Sequence, residues 1–313
     1  MKLLTLSASP HIRDTMTTQK IMLCVIAALL PAAVAAIVHF GWRALLLMVF
    51  CVLVSMATEG LCRIAMKREQ TIFDGSAAVT GLLLAMNLPV TLPLWEAALG
   101  CIFAVAVVKQ MFGGLGQNFA NPAIAARIVL MVSVSADMTH WILPRTAVQD
   151  FSYDAVSSAT PLVERFPIQS LIWGSTGGCL GETCAIALLF GGCFLMFLGV
   201  ISPATPLSYL GTVAVCTLLY TGGSAYETVY QLLSGGLLLG AFFMATDYVT
   251  TPVTARGKIV FGIGCGVLTF LIRAFGSFPE GVSFSILLMN LLTPYIDRFT
   301  LTSPLGALKG GEE

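Results

Sequence analysis

Residues 21–38 read IMLCVIAALLPAAVAAIV, an uncharged apolar run long enough to cross most of a bilayer as a single helix. The stretch before it, Met1–Lys20, is polar, so the run is expected to continue as a full span rather than serve as a cleavable leader. Working outward, comparable runs follow at 44–61, 76–90, 95–109, 121–136, 183–200, 206–221, 229–246, 259–275 and 284–297, which makes ten predicted spans. Several are short, broken by Gly or Pro, and bordered by polar residues such as Asn87-Leu88-Pro89 and Asp247. Interrupted spans are tolerated in lipid only where neighbouring protein or a cavity satisfies the freed backbone groups. Composition agrees: 57% of residues are hydrophobic and 10% charged, against roughly 25% charged in a soluble domain, and the mean hydropathy is +0.89. The expected class is an all-α integral membrane protein of about ten transmembrane helices.

Sixteen basic and sixteen acidic residues leave no net charge, so no nucleic acid or other polyanion is expected as partner. Placement says more than the total. Threading ten spans puts Lys2, Arg13, Lys20, Arg63, Lys67, Arg68, Lys109, Arg256, Lys258, Arg298 and Lys309 on one side, and only Arg43, Arg145 and Arg165 on the other. By the positive-inside rule both termini are cytoplasmic and residues 137–182 form an extracytoplasmic loop. A weak internal repeat is also visible. Phe112-Gly113 before the span with Asn118 and Asn121 is similar to Phe275-Gly276 before the span with Asn290, and Ala85-Met86-Asn87 is similar to Ala245-Thr246-Asp247. Five spans per half is an odd number, so equivalent spans would have opposite orientations, an inverted repeat that usually places a ligand site near the midplane. The predicted organisation is a cytoplasmic segment 1–20, a first five-helix repeat 21–136, the loop 137–182, a second five-helix repeat 183–297 and a cytoplasmic tail 298–313.

Two segments carry recognisable chemistry. Asp154-Ala155-Val156-Ser157-Ser158-Ala159-Thr160-Pro161-Leu162 lies in the external loop; on residue types alone it reads either as a Ser/Thr-rich turn or as a presented hydroxyl. Phe112-Gly113-Gly114-Leu115-Gly116-Gln117-Asn118-Phe119-Ala120-Asn121-Pro122-Ala123 precedes the fifth span. Gly113, Gly114 and Gly116 permit positive φ, while Asn118 and Asn121 bring amide donors and acceptors. Alone it reads as a re-entrant turn or a cofactor cradle; it lacks the strand and helix context of a dinucleotide fingerprint and the lysine of a P-loop.

The first segment resembles the D-x-x-[ST]-[GS]-A-T flavin-transfer signature, and the second the F-G-G-x-G-x-N-x-x-N-P-A stretch, of the membrane subunits of Rnf and Na⁺-translocating NADH:quinone reductase complexes, the RnfD/NqrB family. The resemblance extends to Asp74-Gly75-Ser76, Ala85-Met86-Asn87-Leu88-Pro89, Met244-Ala245-Thr246-Asp247 and Thr251-Pro252. It implies FMN joined through its phosphate to Thr160 by a flavin transferase that reads Asp154, with small Ser157, Ser158 and Ala159 allowing the approach. It further implies a second, noncovalent flavin, riboflavin, near Gly113, Gly114, Gly116, Asn118, Asn121 and Arg127. The implied function is electron transfer in a ferredoxin:NAD oxidoreductase coupled to Na⁺ or H⁺ movement, in the bacterial inner membrane, with partner subunits of types A, B, C, E and G. The short stretch before the first span favours the Rnf branch over the quinone reductase, whose subunit is longer there.

Charges inside spans need partners, since each costs at least about 2.5–3.5 kcal/mol near the bilayer centre. Arg127 is expected either to pair with an acidic side chain or to face a reduced flavin, while Glu59 and Arg273 read as snorkelling to the interface. The nine cysteines show no C-x-x-C and read as small membrane-helix residues, and His11, His39 and His140 as interfacial; no metal site is expected. The architecture alone fits an inverted-repeat transporter or channel for a small solute equally well. Thr160 separates the two readings, because a channel has no reason to carry flavin there.

Overall fold

The computed structural model describes residues 16–144, 157–158, 161–162, 165–276 and 281–301. Helices dominate: α1 Thr18–Phe40, α2 Trp42–Ala65, α3 Ser76–Met86, α4 Leu94–Ile102, α5 Pro122–Ser133, α6 Ser135–Met138, α7 Ile168–Trp173, α8 Ala185–Phe197, α9 Ala204–Tyr220, α10 Ala225–Leu233, α11 Leu237–Leu239, α12 Ala255–Phe275 and α13 Val282–Thr300. Wide π turns continue α4 through Phe103–Gln110 and α11 through Gly240–Met244. Among the described residues the strands are two short ones, β1 Trp141–Ile142 and β2 Ser157–Ser158, paired antiparallel.

Helix underlies each predicted span, but not as uniform rods. By length and composition α1, α2 and α12 are able to cross a membrane, and α3, α5, α8 and α9 are shorter apolar helices. Large side chains such as Val38, Phe197 and Leu219 point outward from these helices, a liability in water and ordinary against lipid. The ends are set by local chemistry. Thr17, Asn121, Ser224 and Thr254 each accept backbone N–H groups at the start of α1, α5, α10 and α12. The span expected at 76–90 stops at Met86, because Pro89 cannot extend it, and the chain runs irregularly to Leu94.

That irregular stretch is the physical crux of the fold, since its carbonyls have no helical partners. Cys179 Sγ donates to Asn87 O at 3.1 Å and Leu180 N to Leu88 O at 3.2 Å. Arg43 donates from Nε to Val90 O at 3.0 Å and from Nη2 to Leu92 O at 3.3 Å. The end of the segment expected outside as 137–182 is thereby drawn inward: Cys179, Leu180 and Glu182 are buried. Charge balance predicted an external loop; the unsatisfied backbone of the break is what recruits its last residues.

Helices approach closely where glycine allows it. Packing pairs α2 with α3 and α4, α9 with α12, α12 with α13, and α1 with α8. A Cβ at Gly81 would lie 2.6 Å from Cys51 O and 2.9 Å from Val52 Cα of α2, both backbone atoms that cannot yield, whereas one at Gly211 on α9 meets nothing within 4 Å. Gly81→Val is therefore expected to destabilise the detergent-solubilised protein by about 3 kcal/mol or more, and Gly211→Val to leave the thermal unfolding midpoint nearly unchanged; equal midpoints would contradict the packing described.

Candidate functional site

A cavity of about 140 Å³ opens where the ends of several helices meet. Its wall is built from the starts of α1, α3 and α5, the Lys109 end of α4, the chain just after α8, and Thr246–Val249 beyond the second π turn. All of these lie on the side that the Lys and Arg distribution assigns to the cytoplasm, a consistency that the charge count did not require. Its polar residues are Ser76, Thr80, Lys109, Asn118, Asn121, Thr246, Asp247 and Tyr248, and the rest is apolar. There is room for roughly ten waters, and the mix of apolar wall and a few convergent polar groups is that of a small-molecule site.

Each polar residue is held for a stated reason. Asp74 accepts from Ser76 N and Ser76 Oγ at 2.8 and 2.6 Å, fixing the first turn of α3. Lys109 Nζ donates to Ser76 Oγ at 2.6 Å and to Glu59 Oε1 at 2.8 Å, and Gln110 Nε2 donates to the same Glu59 oxygen at 2.7 Å. Neighbouring side chains reach one acceptor from within a π turn, a geometry that recurs at functional sites. Glu59 is fully buried, as is the Gln110 side chain, yet Glu59 Oε2 and Gln110 Oε1 have no hydrogen-bond partner. Across the cavity, withdrawal from water pushes the Asp247 carboxyl, just past the end of its span, up to about 6 against the opposing pull of hydrogen bonds from Val249 and Thr250.

The Gly-rich turn behaves as its sequence implies, and its role is positional. Gly113, Gly114 and Gly116 have φ of 127°, 102° and 91°, which reverses the chain from Lys109 and brings Asn118 and Asn121 back to the cavity. The glycines themselves are not part of its wall. Asn121 is largely committed to structure: its Oδ1 caps α5 through Ala123 N at 3.0 Å and Ile124 N at 3.4 Å, and its Nδ2 donates to Met244 O at 3.4 Å. Asn118 Nδ2 donates to Ala120 O at 3.1 Å.

Arg127 takes the first of its two sequence-based expectations. It lies away from the cavity wall, donating to Asn87 Oδ1 at 2.6 Å, Cys179 Sγ at 3.2 Å and Glu182 Oε1 at 3.1 Å, the last an ion pair with both partners buried. Lys109 stands where an anion-stabilising cation was sought. Glu59 does not snorkel; it is buried against Lys109. Arg273 closes the last turn of α10, donating to Gln231 O at 2.7 Å and Ser234 O at 2.9 Å. Sequence reasoning counted Lys109 as a cytoplasmic loop charge and gave Glu182 no role; the only available hint was a charge at the very edge of an apolar run.

Elsewhere, β2 pairs Ser158 with Trp141 and Ser157 with Ile142. Asp154, Ala159 and Thr160 lie outside the described residues, as do the side chains of Ser157 and Ser158. Just beyond, Tyr230 Oη donates to Pro161 O at 2.7 Å and accepts from Phe166 N at 3.2 Å, and Arg165 pairs with Glu227. That carboxylate holds the Arg165 guanidinium protonated still more firmly. Beside them a hollow of about 420 Å³ lies between α9, α10 and α12, walled by Thr217, Tyr220, Gln231, Phe270 and Arg273. The second hollow takes Phe270, Arg273 and Ala274 from the C-terminal end of α12, whose 21 residues rise about 30 Å.

A buried ion pair stripped of one member leaves an uncompensated charge, at a cost of about 3–5 kcal/mol, while an apolar replacement of both is often neutral. Glu182→Leu is thus expected to lower the thermal unfolding midpoint sharply and Arg127→Met/Glu182→Leu to recover most of the loss; a double variant no better than the single would show that Arg127 is not held by this carboxylate.

Comparison with known proteins gives concordant matches. Residues 5–306 match the model of the NQR2, RnfD, RnfE family. The D-type subunit of the Na(+)-translocating ferredoxin:NAD(+) oxidoreductase complex of Acetobacterium woodii is 47% identical, over 98% of this chain and 96% of its own length. The D-type subunit of the proton-translocating ferredoxin:NAD(+) oxidoreductase complex of Clostridium ljungdahlii is 41% identical over 95% and 94%, and that of the ion-translocating oxidoreductase complex of Stutzerimonas stutzeri 37% identical over 90% of each.

Proposed function

This chain belongs to the NQR2, RnfD, RnfE family, and from that premise we propose that it is the membrane subunit of an ion-translocating ferredoxin:NAD oxidoreductase, carrying FMN on Thr160 and passing electrons within the complex. The observation that carries the reading is similarity along nearly the whole chain to proteins named as the D-type subunits of such complexes. The chain is not catalytic alone; redox-driven ion translocation belongs to the assembly with subunits of types A, B, C, E and G. It sits among the lipids of the bacterial inner membrane with ten crossings in two inverted five-helix repeats, both termini cytoplasmic and the Thr160 loop outside. The contact of α1 with α8, and the matching pairs α2 with α4 and α9 with α12, support that symmetry. One relative is named for Na⁺ and another for protons, so the coupling ion here is Na⁺ or H⁺.

The residues present fit both flavins. The Ser157–Ser158 ladder and the Tyr230 bond to Pro161 O hold the backbone on either side of Ala159-Thr160, where a transferase must join the FMN phosphate to the threonine hydroxyl. The adjoining hollow offers Tyr220 and Phe270 as aromatic walls for the ring. The cytoplasmic cavity, with Asn118, Ser76 and Lys109 against apolar Val79, Leu83 and Phe242, suits the polar edge and apolar methyls of a noncovalent riboflavin. When bound, the flavins supply the one- and two-electron redox chemistry that no side chain here can supply, and the protein sets their position, hydration and potential.

In-gel fluorescence of the denatured chain, produced with a flavin transferase, is expected to be bright for the native protein and absent for Thr160→Ala, with the flavin mass on the Thr160 peptide. Tyr230→Phe, which frees Pro161 O, is expected to reduce labelling several-fold without abolishing it. Undiminished fluorescence in Thr160→Ala would overturn the assignment.

A further inference from the structure

Lys109 belongs to two structures at once. Its ammonium is bound to Ser76, with which it shares the cavity wall, and to Glu59, which lies behind that wall, fully buried with Oε2 unpartnered. In a medium of low dielectric, such a cation follows whichever anion is nearer and less well solvated. We propose, building on the reading of the cytoplasmic cavity as a flavin site, that Lys109 is a charge switch: it neutralises Glu59 while the ring is oxidised and turns to the ring when reduction makes it anionic, and the freed Glu59 carboxylate then takes up one monovalent cation from the cytoplasmic side.

The charges balance at every stage. With the ring neutral, Lys109 and Glu59 cancel. One electron from a one-electron iron–sulfur donor of a partner subunit adds one negative charge to the ring, which Lys109 then faces. Glu59 is left negative, and one proton or one Na⁺ bound between Glu59 Oε2 and Gln110 Oε1 restores neutrality. Electron entry is in this way tied to cation entry at the same depth. The orphaned oxygens are what distinguish this pair from Arg127–Glu182, whose guanidinium is engaged by three partners at once. Other charged or titratable groups around Glu59 are Arg63 one turn along α2, Asp74 through Ser76, and Asp247 and Tyr248 across the cavity.

The test is a spectroelectrochemical titration of the acid-extractable flavin in the purified complex, at varied pH and Na⁺ concentration. Lys109→Gln is expected to retain the flavin but to lower its reduced-to-oxidised ratio at fixed applied potential by roughly tenfold or more, with Lys109→Arg recovering most of it. In the native complex that ratio is expected to rise as pH falls if the cation is a proton, or with Na⁺ at constant pH if it is Na⁺, and Glu59→Gln to abolish the dependence. Because Lys109→Gln strands a buried carboxylate, Lys109→Gln/Glu59→Gln serves where the single variant fails to fold, with the same lowered ratio and no cation dependence expected. Full flavin content with an unchanged ratio in these variants would overturn the switch while leaving the flavin site standing. A complex whose acid extract contains no flavin attributable to this chain would overturn both.

Discussion

A polypeptide that breaks its helices inside a bilayer must find partners for the exposed peptide groups within itself, because lipid offers none. Here the break after Met86 sets that demand, and the answer organises the centre of the molecule. Leu180 and Cys179 return from the loop before α8 to bind the carbonyls of Leu88 and Asn87, Arg43 reaches across from α2 to those of Val90 and Leu92, and Arg127 ties Asn87, Cys179 and Glu182 together. Each unsatisfied group would cost about 1–3 kcal/mol, so the several bonds closed at this break together matter on the scale of a whole domain's stability.

Among the described residues two ion pairs are buried, and they differ in finish. Arg127–Glu182 is enclosed by an amide and a thiol and joins the break to the loop. Lys109–Glu59 is left with an unpartnered carboxylate oxygen and borders a cavity. Since an apolar replacement of a buried pair is often no less stable, stability alone gives little reason to place Glu59 and Lys109 there. The proposed exchange of partners as charge enters the cavity does give one.

Much of this was legible from residue order. Apolar runs located the helices, the Lys and Arg tally grouped the ends that turn out to build one cavity, and Gly113, Gly114 and Gly116 announced the positive φ that the turn requires. What stayed hidden was long-range pairing. Glu182 is 55 residues from Arg127 and Lys109 is 50 from Glu59, and no local periodicity links them. The π turn through Phe103–Gln110 departs from the 3.6-residue repeat on which span reading rests, so the inward aim of Lys109 carried no pattern. Of residues 154–162, the backbone of Ser157–Ser158 and the anchored Pro161 are described, and the proposal of flavin on Thr160 rests on its motif.

The most direct measurement is a flavin inventory of this chain, purified after production with a flavin transferase and precipitated in acid. The account predicts two fractions in about equal amounts: flavin that stays with the precipitate and maps to the Thr160 peptide, and flavin released into the supernatant. A chain with neither would contradict the account at its root.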